Sequence, residues 1–139
     1  MKYIKAAIAV IALVLLDQWT KVLAVTHLMN TNGVTIIPNV FRLYYLENRG
    51  SAFGLMQNQK IFFVIFTILV LAVLTLIYRK IPDTKRMLPL KIAGILIYAG
   101  AIGNFIDRVR QSYVVDFFYF ELINFPIFNV ADIYVTTAA

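Results

Sequence analysis

Cysteine is absent from the chain, and histidine occurs once, as His27. The first absence excludes disulfides, thiolate catalysis and cysteine-based metal sites, and the second leaves little scope for a histidine metal cluster or a serine–histidine pair. Charge is also scarce, since 14% of the 139 residues are charged and 61% are hydrophobic. Soluble domains are about a quarter charged. The composition therefore indicates a surface that lies largely in lipid, and the seven acidic residues become the main candidates for chemistry.

The basic residues are unevenly distributed along the chain. A net charge of +6 can indicate nucleic-acid binding. Here, however, five of the thirteen basic residues flank one short loop between two apolar runs: Arg79, Lys80, Lys85, Arg86 and Lys91. Such an excess marks the cytoplasmic side of a membrane protein. We therefore expect no nucleic-acid partner, with the N-terminus and the 79–91 loop inside and residues 26–60 and 108–128 outside.

Four apolar runs predict four transmembrane helices. The first, 4–25, begins like a signal peptide but lacks a convincing small-residue cleavage site, so we expect a retained helix. The second and third, 61–78 and 87–106, approach the roughly 20 residues that a helix needs to cross a bilayer. The fourth begins near Asn129, and the residues after Asp132 are too few to cross, so this helix is expected to be truncated here. We expect one integral membrane domain over residues 1–139.

The outer segments carry strand-like sequence. Residues 34–37 and 41–46 are rich in β-branched and aromatic side chains, and Pro38-Asn39 separates them, so they predict a short hairpin. Residues 113–120 are similarly aromatic. The predicted class is therefore a mainly α membrane protein with a small extracytoplasmic hairpin or sheet.

Four carboxylates are predicted to lie at one level near the outer face of the membrane: Asp17, Asp107, Asp116 and Asp132. Carboxylates at this depth are functional candidates, because a charge near lipid is costly. Structural alternatives exist for three of them. Asp17 precedes Lys21 by four residues, the favourable order for a helical ion pair. Asp107 can pair locally with Arg108. Asp132 can lie in the first turn of a helix that Asn129 caps.

Asp116 is harder to explain by structure alone, although a water-exposed aspartate at a strand end remains open. Val114, Val115, Phe117 and Phe118 flank it without a basic neighbour, which should raise its pKa. Two adjacent carboxylates share a proton and titrate as a unit. Such a pair hydrolyses a peptide bond without a metal or other cofactor, because one aspartate activates water while its partner polarises the carbonyl. Spacing leaves the pair open, since Asp107 and Asp132 share an Asn-x-x-Asp pattern.

Five motifs in order resemble those of the bacterial lipoprotein signal peptidases, also called type II signal peptidases. They cover essentially the whole chain and read Asp17-Gln-Trp-Thr20-Lys21, Asn48-Arg-Gly50-Ser-Ala52-Phe53, Gly103-Asn104-Phe-Ile-Asp107-Arg108, Val114-Val-Asp116-Phe117 and Phe128-Asn129-Val-Ala131-Asp132. The resemblance implies a membrane aspartic peptidase whose catalytic pair is Asp116 and Asp132. It implies supporting or substrate-binding roles for Asp17, Lys21, Asn48, Gly50, Asn104, Asp107, Arg108, Asn129 and Ala131.

The same resemblance implies the substrate and the setting. The substrate is a prolipoprotein whose cysteine carries diacylglycerol, and cleavage falls just before that cysteine at the outer face of the bacterial cytoplasmic membrane. Further expectations are contact with membrane lipid, sensitivity to globomycin-type cyclic peptides and a monomeric state. Small residues near position 100 are expected to let a substrate helix approach.

Two other functions are consistent with intramembrane carboxylates. A proton-coupled transporter uses them as relays, but transporters often carry internal repeats and midplane sites, and this sequence shows neither. A non-catalytic scaffold would use Asp17, Asp107 and Arg108 to join helices, but it leaves Asp116 unexplained. Release of a signal peptide distinguishes the peptidase from both.

Overall fold

The computed structural model describes residues 1–50 and 56–139. The Ser-Ala-Phe part of the second motif falls outside these residues. Within them, three helices are long and apolar enough to cross a membrane. They are α1 (Lys2–Leu28), α2 (Lys60–Lys80) and α3, which spans Leu88–Gln111 and follows a 3-10 turn at Lys85–Met87. These three helices confirm the first three predicted spans, with ends that differ by a few residues from those of the apolar runs.

The three long helices are arranged around α3. Both α1 and α2 pack against α3, and they make few contacts with each other. In α2 the one buried residue is Thr67, so nearly the whole helix surface is available to lipid. A helix suits this environment because its backbone hydrogen bonds are satisfied within the segment.

A short fourth helix, α4 (Val130–Ala138), packs against α3. A Cβ on Gly100 would lie 2.6 Å from the Ala131 carbonyl oxygen and 2.7 Å from Val135 Cγ2. The small residues of α3 therefore allow α4 to approach closely, which is common where helices meet in lipid. The expectation that they make room for a substrate helix was wrong at Gly100, because α4 occupies that space.

The segments that follow α1 and α3 form a three-stranded antiparallel sheet with the order β1-β2-β3. The strands are β1 (Val34–Ile37), β2 (Phe41–Asn48) and β3 (Val114–Phe120), followed by a 3-10 turn at Glu121–Ile123. Gly33 leads into β1 with φ +82°, and a Cβ there would lie 2.2 Å from the Leu43 carbonyl oxygen, so a glycine is required. The sheet confirms the predicted hairpin and third strand.

A small apolar core joins the sheet to the C-terminal end of α1. Ala24 and Leu28 from α1 pack with Val115 and Phe117 from β3. Because neighbouring residues of a strand point to opposite faces, Val115 and Phe117 lie on one face of β3, and Asp116 lies on the other. The core therefore fixes the orientation of β3 and, with it, the face that carries Asp116.

Candidate active site

Asp116 lies in β3 with 2% of its surface exposed. Its Oδ1 accepts a hydrogen bond from Asn129 Nδ2 at 2.7 Å, and its Oδ2 accepts one from Asn48 Nδ2 at 3.1 Å. Asn48 reaches Asp116 because the strand register pairs Asn48 with Val114 and Leu46 with Asp116 on the same sheet face. Burial, and next the charge of Asp132, raises the pKa of the Asp116 carboxyl to about 7, although the two amide donors act in the opposite direction. The rise expected from the sequence is present.

Asp132 lies in the first turn of α4, where it forms a capping box with Asn129. The Asp132 backbone N–H donates to Asn129 Oδ1, and the Asn129 backbone N–H donates to Asp132 Oδ2, each at 3.0 Å. This is the cap that the sequence predicted as a structural alternative. Its second carboxylate oxygen, Oδ1, accepts a hydrogen bond from Asn104 Nδ2 at 3.1 Å. Burial disfavours the ionised form of this carboxyl group, whereas both donors and the positive end of the helix dipole favour it.

Two asparagine side chains connect the carboxylates. Asn129 Nδ2 donates to Asn104 Oδ1 at 3.1 Å as well as to Asp116, and Asn104 in turn donates to Asp132. Asn129 has no exposed surface. The amides of Asn104 and Asn129 therefore hold Asp116 and Asp132 in one hydrogen-bonded unit. We call these four residues the dyad network.

A buried ion cluster lies beneath this network. The Lys21 ammonium contacts Asp17 Oδ2 at 2.9 Å and Asp107 Oδ2 at 3.2 Å, and it donates to Asn104 Oδ1 at 3.0 Å. Lys21 is 4% exposed and Asp17 is 0% exposed. The predicted Asp17–Lys21 pair is thus present. Because Lys21 also binds Asn104, the cluster constrains the amide that holds Asp132.

The carboxylates of the ion cluster also anchor backbone from other elements. Asp17 Oδ1 accepts a hydrogen bond from the Ala131 backbone N–H at 2.9 Å, which joins α1 to α4. Asp107 Oδ2 accepts one from the Val115 backbone N–H at 3.1 Å, which joins α3 to β3. Each carboxylate therefore holds a residue that immediately precedes Asp116 or Asp132 in the chain.

The suggested local pair between Asp107 and Arg108 is not formed. Consecutive helical residues point in different directions, and Asp107 pairs with Lys21 instead. Arg108 donates through Nη2 to the Gly50 carbonyl oxygen at 3.2 Å, and its guanidinium lies 4.6 Å from the centre of the Phe63 ring. Arg108 therefore connects α3 to the end of β2 and to α2.

A cavity of about 610 Å³ opens at the dyad network. Its polar wall contains both carboxylates of the network with Asn48, Asn104 and Arg108, whereas most of the remaining wall is apolar. The apolar part comes mainly from the segment between β3 and α4 and from α4 itself, and includes Phe120, Ile123, Phe125, Ile127, Phe128 and Val135. The cavity can therefore accept an apolar chain and present a polar group of that chain to two carboxyls.

Sequence reasoning missed two contributors to the site. Gln18 Nε2 donates to Asp107 Oδ1 and to the Gly103 carbonyl oxygen, each at 3.1 Å. A Cβ on Gly103 would lie 2.5 Å from Asp17 Oδ2, so this glycine makes room for the ion cluster. A sequence signal existed for both, because Gln18 and Gly103 lie inside the first and third motifs.

Comparison with known proteins gives consistent matches. The family described as signal peptidase (SPase) II matches residues 9–139. A lipoprotein signal peptidase of Streptococcus thermophilus is 45% identical over 136 residues, which cover 98% of this chain and 88% of the relative. One from Caldanaerobacter subterraneus subsp. tengcongensis is 45% identical over 96% of this chain and 90% of its own. One from Clostridioides difficile is 43% identical over 91% of this chain and 83% of its own.

Two solved structures agree with the sequence matches. Both are described as bacterial membrane enzymes determined by the in meso method, at 2.3 Å and 1.9 Å resolution. The first has a TM-score of 0.84 and 34% identity, and covers 96% of this chain and 82% of the solved chain. The second has a TM-score of 0.83 and 34% identity, with 96% and 86% covered. On sequence and fold together, the chain belongs to the signal peptidase (SPase) II family of membrane peptidases.

Proposed function

We propose that Asp116 and Asp132 are the catalytic pair of an aspartic endopeptidase that removes the signal peptide from diacylglyceryl-modified prolipoproteins, just before the lipidated cysteine. The observation that carries the proposal is the dyad network, in which two carboxylates bound by a shared pair of amides line one cavity. Family membership supports this reading over a transporter or a scaffold. One peptidase domain over residues 1–139 is part of the proposal.

The two carboxyls take different roles. Asp132 is the general base, since the capping box, the Asn104 amide and the start of α4 all stabilise its anion. Asp116 is the acid, because a pKa of about 7 leaves much of it protonated at neutral pH. Asp132 takes a proton from water as the water oxygen attacks the scissile carbonyl carbon. Asp116 donates its proton to the carbonyl oxygen, which gives a tetrahedral diol. Asp132 then passes the proton it took from water to the leaving nitrogen of the lipidated cysteine, and Asp116 recovers a proton from the diol as the C–N bond breaks.

The remaining polar residues position the pair and the substrate. Asn104 and Asn129 orient the carboxylates, while Asp17, Lys21, Asp107 and Ala131 fix the elements beneath them. Arg108, with Asn48 and Gly50 at the outer end of β2, binds the substrate backbone at the cavity mouth. Support comes from the Arg108–Gly50 contact and from the position of Arg108 and Asn48 in the cavity wall.

The proposed location is the bacterial cytoplasmic membrane, with the active site facing outward. Lys2, Lys5 and the basic residues around the 79–91 loop lie at the opposite end of the helices from the sheet, and the positive-inside rule assigns that end to the cytoplasm. A diacylglyceryl group anchored in the outer leaflet then holds its cysteine at the level of the dyad. Lipid contacts the exposed apolar helix faces.

We also propose that globomycin-type cyclic peptides bind in the cavity and that the protein acts as a monomer. Both carboxylates and the apolar wall belong to the same chain, so a second copy is not needed to complete the site. Competitive inhibition of cleavage by globomycin, together with a monomer mass in detergent for the active fraction, tests the two statements separately.

The decisive experiment measures cleavage of a diacylglyceryl-modified precursor in detergent micelles by the native protein and by single variants. Asp116→Asn and Asp132→Asn should each lose nearly all turnover while remaining folded, and Asp107→Asn should keep measurable activity. Glu121→Gln is the matched control, because its carboxylate does not line the cavity. Substantial turnover by Asp116→Asn with none by Asp107→Asn would assign the pair to Asp107 and Asp132 instead. Absence of cleavage by the folded native protein would contradict the proposed activity.

A further inference from the structure

A second cavity lies at the basic end of the helix bundle, away from the dyad. It is a groove of about 310 Å³ between α1 and α2, with α3 as its floor, and it shares no lining residue with the active-site cavity. The groove exists because both helices pack against α3 and scarcely against each other. Small side chains widen it, namely Ala6 and Ala7 on α1 and Gly94 on α3. The first turns of α1 and the last turns of α2 therefore enclose a space that no side chain fills.

The groove wall is apolar and opens toward lipid. Ala7, Val10 and Ile11 line it from α1, and Leu74 lines it from α2. Ile11 is 58% exposed and Tyr3, at the mouth, is 53% exposed. The membrane is the solvent on this side of the bundle, so an acyl chain is the apolar group available to enter the groove.

Positive charge surrounds the end of the groove. Arg79 lines it, and in the described parts of the chain Arg79 forms no ion pair. The Lys2 ammonium lies 5.8 Å from the centre of the Tyr78 ring, which also lines the groove, and it donates to the Ile81 carbonyl oxygen at 2.7 Å. Lys2 thus stays at the mouth, and within residues 1–50 and 56–139 it forms no direct ion pair with a carboxylate.

Asp83 is an acidic residue in the loop at this end of the bundle, and Lys91 compensates its charge. The two side chains form an ion pair. The hydrogen bond and charge of Lys91 lower the pKa of the Asp83 carboxyl, and Lys2 and Lys5 lower it further. Since one lysine accounts for Asp83, the other basic side chains leave a net positive potential at the groove mouth.

We propose that this groove binds a phospholipid with an anionic headgroup, with an acyl chain between α1 and α2 and the phosphate on Arg79 and Lys2. A basic site next to an apolar groove at the cytoplasmic ends of membrane helices matches both halves of such a lipid. The exposed basic residues of the loop, such as Arg86, attract anionic membranes in general but do not line the groove. Arg79 therefore distinguishes a defined site from diffuse attraction.

Native mass spectrometry in detergent tests the headgroup half of the proposal. The purified protein is titrated with phosphatidylglycerol and phosphatidylcholine that carry identical acyl chains, and we expect the anionic lipid to bind several-fold more tightly. Arg79→Gln should reduce phosphatidylglycerol binding about fivefold, the effect of one basic residue near the headgroup. Arg79→Lys should retain most of it. Arg86→Gln is the matched control and should bind like the native protein. Equal losses in Arg79→Gln and Arg86→Gln would overturn the defined site.

A second pair of variants tests the acyl-chain half. Ala7→Leu fills the groove and should lower the binding of both lipids, whereas Ala72→Leu makes the same change on a surface of α2 outside the groove and should not. Glycerol phosphate, which has the charge but no chains, should not compete at the concentrations at which the lipid saturates. Effective competition, or unchanged binding in Ala7→Leu, would refute the proposal. The assay needs no turnover, so its outcome is independent of the proposed peptidase activity.

Discussion

Replacement of Asp116 by asparagine is expected to stabilise the folded protein at pH 8 while it removes activity. Burial, followed by the charge of Asp132, raises the pKa of Asp116 from 3.8 to about 7. A carboxyl whose pKa is higher in the folded state binds its proton more tightly there. Its favourable contribution to folding is therefore complete below about pH 4 and is lost as the pH rises through about 7.

The magnitude follows from the difference between the two pKa values. A difference of about 3 pKa units, at about 1.4 kcal/mol each, corresponds to about 4 kcal/mol between pH 4 and pH 8. Asparagine has nearly the same shape and carries no titrating group, so it escapes this cost. Asp116 accepts hydrogen bonds from the side-chain amides of Asn48 and Asn129. The NH₂ group of the new asparagine must face one of these two donors, and that hydrogen bond is lost. A buried donor left without its acceptor costs about 1–3 kcal/mol, which leaves a net gain of about 1–3 kcal/mol at pH 8.

Thermal unfolding in detergent micelles between pH 4.5 and pH 8 measures this effect. The melting temperature of Asp116→Asn minus that of the native protein should increase with pH, with most of the change between pH 5 and pH 7.5. Glu121→Gln, whose carboxylate lies outside the cavity, should give a nearly flat difference. A constant difference for Asp116→Asn across this range would refute the assignment of a raised pKa to Asp116, and with it the acid role.

Three further substitutions test the surroundings of the dyad. Lys21→Met leaves two buried carboxylates without their ammonium and should cost about 3–5 kcal/mol of stability in chemical denaturation; an unchanged denaturation midpoint would contradict a stabilising role of the ion cluster. Gly100→Ala places a methyl 2.6 Å from the Ala131 carbonyl oxygen, so it should displace α4 and lower both the melting temperature and the turnover. Gly94→Ala is the control and should lower neither, because its methyl meets the Tyr78 ring no closer than 3.3 Å. Asn129→Ser keeps a capping oxygen but loses the amide that donates to Asp116, the proposed acid. The fall in cleavage rate at high pH, where Asp116 loses its proton, should therefore move up by about one pH unit. An unchanged pH dependence would contradict the proposed roles.

The helices and strands were accessible to sequence reasoning because each has a strong local signal. The apolar run 61–78 carries no charge, and α2 extends only one or two residues beyond it. The Pro38-Asn39 break marks the turn between β1 and β2, where Asn39 has φ 61°. The bounds differ by a few residues because polar residues such as Lys60 continue a helix beyond its apolar segment.

The gathering of the carboxylates at one end of the helix bundle was predictable, but their contacts were not. Helix rise places Asp17 and Asp107 toward the same end of the helix bundle, and this follows from counting residues. The partner of Asp107, however, depends on how α1 rotates against α3, which local sequence does not specify. The neighbouring Arg108 was therefore a reasonable candidate, although Lys21 is the residue that α1 presents.

The stretch of small residues in α3 illustrates a different ambiguity. Gly100 predicts a close approach by another helix, but the sequence does not say which helix approaches. Intramolecular packing by α4 competes with any substrate for the same surface, and α4 is covalently attached. Local concentration therefore favours the chain's own helix.

The capping box at Asn129 and Asp132 has a consequence for the biogenesis of the enzyme. The hydrogen bonds that begin α4 also place a proposed catalytic carboxyl, and Asp17 holds the Ala131 backbone 114 residues away in the chain. Synthesis must therefore proceed through α4, and that helix must dock on α1, before both carboxyls can meet. A nascent chain that has inserted only α1–α3 carries no complete dyad. If Asp116 and Asp132 are the catalytic pair, as proposed, the order of translation delays assembly of the active site until α4 has been made.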